Sequence, residues 1–404
     1  MTHRDHPSWE LNRMHRIPLL KLERNVFCTA AWLVTLFAFP VTSGSDEIVP
    51  VRSESIRCGK TLFVSGQGSR DAVTGEHSTE IATATRQAML NVQRVLVGQG
   101  YSFTDVVAVT VWLTDMGNYV EMNEVYRTFF GDVYPTRTTL GVSGLPDDSM
   151  VQVAVVAVKG AKKPIYPAGM GKGNAPYTPG ILAEETLYLS GSVGLDPATG
   201  TLVEGDIVAH VTQTLQNIGQ VLEAAEMKFE NVVSSYFFFE NVDDFGGINE
   251  TWRSFTRQPR PCRLPVGVSA LPLESPLEVT MVASRNDRRP FLGGTPPSDN
   301  YSRALQSGEL MYFPGVFQRE GSMQEQVDAI LDWNGKLLAA ADLALEDVVE
   351  VRVYMTDRGD YEAMDKAFER RFHARPPTRA TVFVPRLPAN SKLMMGWVAV
   401  KSDR

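Results

Sequence analysis

The sequence predicts an α+β protein built from three successive copies of one ββαβαββ unit. Two observations carry this. The first is repetition. "LFVSGQGSRDAVTGE" (62–76) returns as "LYLSGSVGLDPATGT" (187–201) and, worn, as "MYFPGVFQREGS" (311–322). Further blocks recur in the same order, ending with "YPTRTTLGVSGLP" (134–146), "QPRPCRLPVGVSALP" (258–272) and "PPTRATVFVPRLP" (376–388). Arg137, Arg263 and Arg379 mark a period of about 115–125 residues, a domain rather than a solenoid repeat. The second is that within each copy the apolar period switches between that of a strand and that of a helix.

The elements follow in order. Two strands open each unit, joined by a turn at "TGE" or "TGT", where Gly75 and Gly200 supply positive φ. A helix comes next; Val208, Val211, Leu215, Ile218, Val221 and Leu222 give it one apolar stripe in the second copy. A β-branched and aromatic strand follows, "VVAVTVWL" or "VVSSYFFF", whose aromatic run Tyr236–Phe239 reads as core. The shorter second helix carries Met364, Phe368 and Phe372 on one face in the third copy. Two strands close the unit, the last being "SMVQVAVVAV" (149–158), "PLEVTMVA" (276–283) or "SKLMMGWVAV" (391–400). Helices on one side leave the other face of a mixed sheet to be covered. Three similar units in one chain point to quasi-threefold association, the single-chain counterpart of a cyclic trimer. The units are bounded as 46–163, 164–291 and 292–404, with Pro- and Gly-rich linkers at 161–176 and 285–300.

Residues 1–45 differ from the rest. Arg13, Arg16, Lys21 and Arg24 precede an apolar run from Val26 to Val41 and the small polar exit "TSGS". This describes a secretory leader and an exported protein; a retained anchor and a start at Met14 are the alternatives. The run is shorter than the roughly 20 residues of a membrane span, so no span is expected in the mature chain. The 404 residues are 43% apolar and 21% charged, with net charge −8. No basic stripe suggests nucleic acid as a partner. Cys58 and Cys262 lie in different copies without metal-ligand spacing and are expected as free thiols.

Glu278 is the informative asymmetry. It interrupts a half-buried strand, and the matching positions in the other copies are Gln152 and Met394. The "SG" after the second strand, the "TGE" turn, the Asn of the first helix, "NEVYRTFF" (123–130), the "P-x-R" and the closing "LP" resemble the Rid/YjgF/L-PSP family, reactive intermediate deaminases. The resemblance runs from about residue 50 to the C-terminus in every copy. It implies a chorismate-mutase-like fold, three units around a central β-barrel, clefts between neighbouring units, and a monomeric pseudo-trimer. It also implies hydrolysis of 2-imino or enamine acids, such as 2-aminoacrylate or 2-iminobutanoate, to the 2-keto acid and ammonia.

The family pattern maps onto the second copy as Tyr177, Ser190, Asn249, Arg263 and Glu278. The first copy has Ser65, Asn123 and Arg137, with Arg52 for the Tyr and Gln152 for the Glu. The third has Tyr301 and Arg379, with Pro314, Asp365 and Met394. On this pattern Arg263 and Glu278 are the catalytic pair, and Tyr177, Ser190, Asn249, Arg137, Arg379, Tyr301, Ser65 and Asn123 contact substrate. An Arg fork holds a carboxylate by two parallel hydrogen bonds. A carboxylate beside the bound water moves the protons of imine hydrolysis. No metal or other cofactor is implied. Arg263 and Glu278 could instead be a structural salt bridge. The competing functions are a non-catalytic binder of small carboxylates, an endoribonuclease of the L-PSP type and a purely structural pseudo-trimer. Which copy neighbours which is left open.

Overall fold

The computed structural model describes residues 52–71, 74–76, 78–168, 175–373 and 375–401. The expected leader lies outside these residues. Repeat 1 runs β1 (Ser55–Cys58), β2 (Thr61–Gly68), α1 (Ile81–Gly98), β3 (Val106–Leu113), α2 (Tyr119–Tyr126), β4 (Thr136–Gly141) and β5 (Val151–Val158). A linker strand β6 (Lys162–Ile165) leads into β7 (Gly180–Ala183), β8 (Thr186–Leu189), α3 (Ile207–Ala224), β9 (Val232–Phe239), α4 (Asn249–Phe255), β10 (Cys262–Gly267) and β11 (Leu277–Ser284). A second linker strand, β12 (Arg288–Phe291), precedes β13 (Ala304–Ser307), β14 (Leu310–Tyr312), β15 (Val316–Gln318), α5 (Met323–Ala339), β16 (Val348–Met355), α6 (Tyr361–Arg371), β17 (Thr378–Phe383) and β18 (Leu393–Val400).

The strands form separate sheets, ordered β1-β2-β5-β3-β4, β10-β9-β11-β8-β7-β6 and β12-β13-β14-β18-β16-β17, with β15 paired to β18. The expected central barrel is therefore not found: no ladder closes the three sheets into one. The linkers are strands as well as connectors. β6 pairs with β7, and β12, placed in the second unit by the sequence boundaries, pairs with β13 of the third sheet. The opening hairpins also differ from expectation. Their turns lie at Gly59, Glu184 and Gly308, all at positive φ, whereas Gly75 and Gly200 (φ 73° and 71°) turn the loop between the second strand and the helix.

Each sheet is apolar on both faces. In β9, Phe237 and Phe239 pack with Val211, Leu215 and Ile218 of α3 and Trp252 of α4. The alternate residues Tyr236 and Phe238 join Trp112 and Leu140 of repeat 1 and Tyr354, Val382 and Met394 of repeat 3 in a shared core. A second shared core gathers Phe63, Val156, Tyr188, Val233, Tyr312 and Val398. Strand alternation thus feeds two cores at once. Val208 of the predicted α3 stripe is instead 39% exposed, while its first-turn neighbour Ile207 packs against the core. Met364 and Phe368 of α6 are buried as expected, and so is Phe372 just past its end.

Hydrogen bonds join the repeats cyclically. Gly141 bridges to Ala270, Gly267 to Arg386 and Gly144 to Phe383, linking repeats 1 to 2, 2 to 3 and 3 to 1. A serine reinforces two of these junctions. The Ser190 hydroxyl accepts from Arg137 N–H (2.9 Å) and donates to Thr178 O (2.7 Å). Ser65 likewise accepts from Arg379 N–H (2.8 Å) and donates to Ser53 O (2.6 Å). The third repeat has Pro314 there, which offers neither bond.

Ser190 is 5% exposed, so Ser190→Ala leaves the Arg137 N–H without its acceptor inside the protein. The expected loss is about 1–3 kcal/mol of stability, read as a lowered urea midpoint. An unchanged midpoint would mean that the junction does not depend on this hydroxyl.

Candidate functional site

Each short helix presents one face to the arginine of its own repeat. The residues recur at i, i+4 and i+7: Tyr119, Asn123 and Tyr126; Phe245, Asn249 and Trp252; Tyr361, Asp365 and Phe368, with Phe245 in the 3-10 turn that precedes α4 rather than in the helix itself. That spacing lines up side chains on one side of a helix. Arg137 donates from Nη1 to Asn123 Oδ1 (2.6 Å) and from Nη2 to the Tyr119 hydroxyl (3.1 Å). Its guanidinium lies 4.9 Å from the Tyr126 ring centroid and 5.9 Å from that of Tyr177, which belongs to the next repeat. Arg137 is 4% exposed, so this cage of acceptor and aromatic groups replaces its hydration.

Across the junction, repeat 2 meets the Arg137 strand directly. Besides the Ser190 contact, Gly191 N–H donates to Arg137 O (3.0 Å). Glu278 comes from β11 over this same glycine. A Cβ on Gly191 would collide with Glu278 Oε1, so only glycine leaves the carboxylate its place. Glu278 is 3% exposed, and its Oε2 has no hydrogen-bond partner within the protein. Burial pushes its carboxyl up to about 8; the charge of Arg137 and the backbone N–H of Thr139, both from repeat 1, pull the other way. One cleft therefore brings together Arg137, Asn123 and Tyr119 of repeat 1 with Tyr177, Ser190, Gly191 and Glu278 of repeat 2.

The expected pairing of Arg263 with Glu278 is corrected by this geometry. β10 and β11 are not neighbours, because β9 runs between them. The two side chains also emerge on opposite faces of that sheet. Arg263 lies on the helix side, 5.7 Å from the Trp252 ring and 5.8 Å from that of Phe237. Glu278 alternates with Leu277, Val279 and Met281, which fill the helix-side core, and so faces the neighbouring repeat. No salt bridge joins them.

The other two junctions repeat the plan with different residues. Arg263 of repeat 2 donates from Nη2 to Asn249 Oδ1 (2.7 Å), and Gly315 N–H of repeat 3 donates to Arg263 O (3.1 Å). Tyr301 is close enough to act on the Arg263 charge, and the buried thioether of Met394 occupies the space over Gly315. At the remaining junction Arg379 is held in an ion pair by Asp365, on the position of Asn123. There Gln152 lies over Gly66, its buried Oε1 without a partner. Glu278 is thus the acid of the Arg137 cleft, and Arg263 and Arg379 serve clefts in which no glutamate takes that place.

Sequence reasoning passed over Tyr119, Gly191 and Thr139. Tyr119 carries a readable signal, its four-residue offset from Asn123. Thr139 acts across a repeat boundary, and nothing local announces it. Cys58 and Cys262 are both free. Among the described residues no group of three or more His, Cys, Asp or Glu side chains is placed to hold a metal ion, and no helix is long and apolar enough to cross a membrane.

The raised Glu278 carboxyl has a consequence for stability. An acid favoured in its neutral form by the fold adds stability that is complete below its ordinary 4.5 and is lost as pH rises through about 8. Glu278→Gln removes this titration. Relative to wild type, the variant should gain on the order of 3–5 kcal/mol between pH 4.5 and 9. Urea unfolding at both pH values measures it, and a pH-independent difference would contradict the burial argument.

Comparison with known proteins agrees with this three-part organisation. The family model described as Endoribonuclease L-PSP matches residues 50–159, 172–285 and 294–401. The chain is 38% identical over 117 residues to the mouse protein named 2-iminobutanoate/2-iminopropanoate deaminase, covering 29% of this chain and 84% of that protein. It is 41% identical over 119 residues to a RutC family protein of Pyrococcus horikoshii, covering 29% and 94%. Among solved structures, a putative endoribonuclease of Thermotoga maritima aligns at 28% identity and TM-score 0.30, over 31% of this chain and all of that one. With the same family model matching most of each repeat, the chain belongs to the endoribonuclease L-PSP (Rid/YjgF) family, three times over.

Proposed function

We propose that this protein hydrolyses small 2-imino or enamine carboxylic acids to the 2-keto acid and ammonia, in the cleft between repeats 1 and 2. The observation that carries the proposal is the meeting of Arg137 with a buried Glu278 supplied by the next repeat. The relatives named 2-iminobutanoate/2-iminopropanoate deaminase support the reaction class. We further infer that the repeats form an intramolecular counterpart of a trimer; the cyclic junction bonds support this.

The chemistry follows from the groups present. Arg137 receives the substrate carboxylate, with Asn123 and Tyr119 fixing its fork. The bound carboxylate offsets the Arg137 charge, which removes one of the pulls that lower the Glu278 carboxyl. Glu278 then holds its proton near neutral pH and donates it to the imine nitrogen. The resulting carboxylate takes a proton from water as the water oxygen bonds to C2. Glu278 next protonates the amine of the carbinolamine, the C–N bond breaks, and the hydroxyl proton returns to Glu278 as the carbonyl forms. Atoms balance as imine plus water giving ketone plus ammonia. A group poised near 8 serves as both acid and base. Gln152 and Met394 can do neither, so one turnover centre per chain is expected.

Glu278→Gln should lower kcat for 2-iminobutanoate by about 100-fold or more, the scale of a lost general acid–base group. In wild type kcat/KM should fall above pH about 8 as the free enzyme loses the acid form, and this limb should vanish in the variant. Turnover equal to wild type would move the chemistry elsewhere. Absence of turnover in both would favour a non-catalytic binder of small carboxylates. Gly191→Ala should displace the Glu278 carboxylate and cost about 100-fold in kcat/KM, the scale of an ångström of misplacement. A fully active, folded Gly191→Ala protein would contradict the close packing as the determinant.

A further inference from the structure

The shared core that holds Phe63, Tyr188 and Tyr312 encloses a cavity of about 70 Å³, lined by all three repeats. Its walls set equivalent positions side by side. In the parallel strand pairs Ala108 stands opposite Thr136, Ser234 opposite Cys262 and Glu350 opposite Thr378, so these three residues share one register. Two residues further on, the same strands carry Thr110, Tyr236 and Arg352. All of them line the cavity. Repeat 1 supplies small side chains and so leaves room, repeat 2 supplies hydroxyls, and repeat 3 supplies both charges. Repeats of identical sequence would bring three carboxylates or three guanidinium groups to this place, at a prohibitive desolvation cost. Divergence between the repeats lets a single ion pair stand there.

That pair is incompletely satisfied by the protein. Arg352 Nε donates to Glu350 Oε1 (3.3 Å), and the guanidinium lies 4.8 Å from the Tyr236 ring centroid. The bond uses one of the five guanidinium N–H groups and one of the two carboxylate oxygens. The side chains of Arg352 and Glu350 are 14% and 15% exposed, so neither is sealed off. The hydroxyls of Tyr188 and Tyr312 lie near enough to feel the Glu350 carboxylate. Phe63, Val156 and Val398 add an apolar wall. A buried pair is costly unless its remaining donors and acceptors are met. Because the pair is neutral as a whole, its complement carries no net charge; it accepts from Arg352 and donates to Glu350.

We propose that this cavity is a binding site for a small neutral amide, whose carbonyl accepts from Arg352, whose N–H donates to Glu350 and whose apolar end rests against Phe63 and the valines. An amide presents an acceptor and a donor in one plane, as the pair requires. The volume equals that of about two waters at roughly 30 Å³ each, or of one molecule of about four non-hydrogen atoms. Neither Arg137 nor Glu278 lines the cavity, although Thr138 and Thr280 from their strands do. Occupancy is therefore read by binding, independently of turnover at Glu278.

The probe is acetamide, with acetone, of the same size but without the N–H, as control. A crystal structure of the full chain grown with acetamide should show it between Glu350 and Arg352. In solution, saturation-transfer NMR should give a Kd of about a millimolar or below, the range open to so small a ligand. Acetone should bind at least about tenfold more weakly, for want of a hydrogen bond to a charged group. Glu350→Gln should weaken acetamide by a similar factor. Because that variant also leaves Arg352 without its counter-charge, Ala108→Val provides a second arm: it fills the cavity from repeat 1 and should abolish acetamide binding in a folded chain. The crystal structure and the acetone control need no variant. Water alone in the cavity, acetamide bound only elsewhere, equal binding of acetone, or unchanged affinity in folded Ala108→Val would each overturn the proposal. Acetamide on the ion pair, with binding lost in either folded variant, would establish it.

Discussion

The architecture depends on sheets that are apolar on both faces. Helices cover one face of each, and nothing within a repeat covers the other. The uncovered faces therefore pack on one another, with Phe238, Trp112 and Tyr354 meeting in one shared core. This mutual burial sets the strand carrying Arg137 against the glycine turn of repeat 2. The cleft is a by-product of core packing: the same contacts that exclude water from the interior bring an arginine and a glutamate from different repeats to one place.

The three junctions show how far one geometry can be retuned by single side chains. The glycine beneath the variable position is common to all, at Gly191, Gly66 and Gly315. What lies over it is an acid, an amide or a thioether. The counter-group on the helix varies independently, as Asn123, Asn249 or Asp365. With Asn123 and Glu278 both present, a buried cation and a buried acid of raised pKa share one cleft. With Asp365 and Gln152 the cation is neutralised from within. The electrostatic character of each junction follows from these two positions.

Much of this was legible in the sequence. Repetition gave the unit, its element order and the family, and alternation marked Glu278 as anomalous within an apolar strand. The same alternation places Leu277, Val279 and Met281 on the helix side, and so Glu278 on the other face. What could not be read was the partner. Arg263 precedes Glu278 by fifteen residues, and proximity in sequence suggested proximity in space. An intervening β9 breaks that link, because a parallel β9–β10 pair lets the last strand insert on the far side. The hairpin turns were misassigned for a related reason: a glycine with positive φ marks a turn without saying which elements it joins. The central barrel was carried over from the resemblance, and the hydrogen-bond ladders stop short of closing it.

Because each cleft draws its arginine from one repeat and its covering side chain from the next, the repeat and the functional unit are out of phase. Repeat 2 contributes Glu278 upstream and Arg263 downstream, on opposite faces of a single sheet. Cutting the chain at its linkers would yield fragments that each look like a family member and hold half of two different clefts. The smallest piece that contains the Arg137 cleft begins in repeat 1 and ends in repeat 2. Shuffling or swapping intact repeats would exchange partners at two boundaries at once, although each repeat would be moved whole.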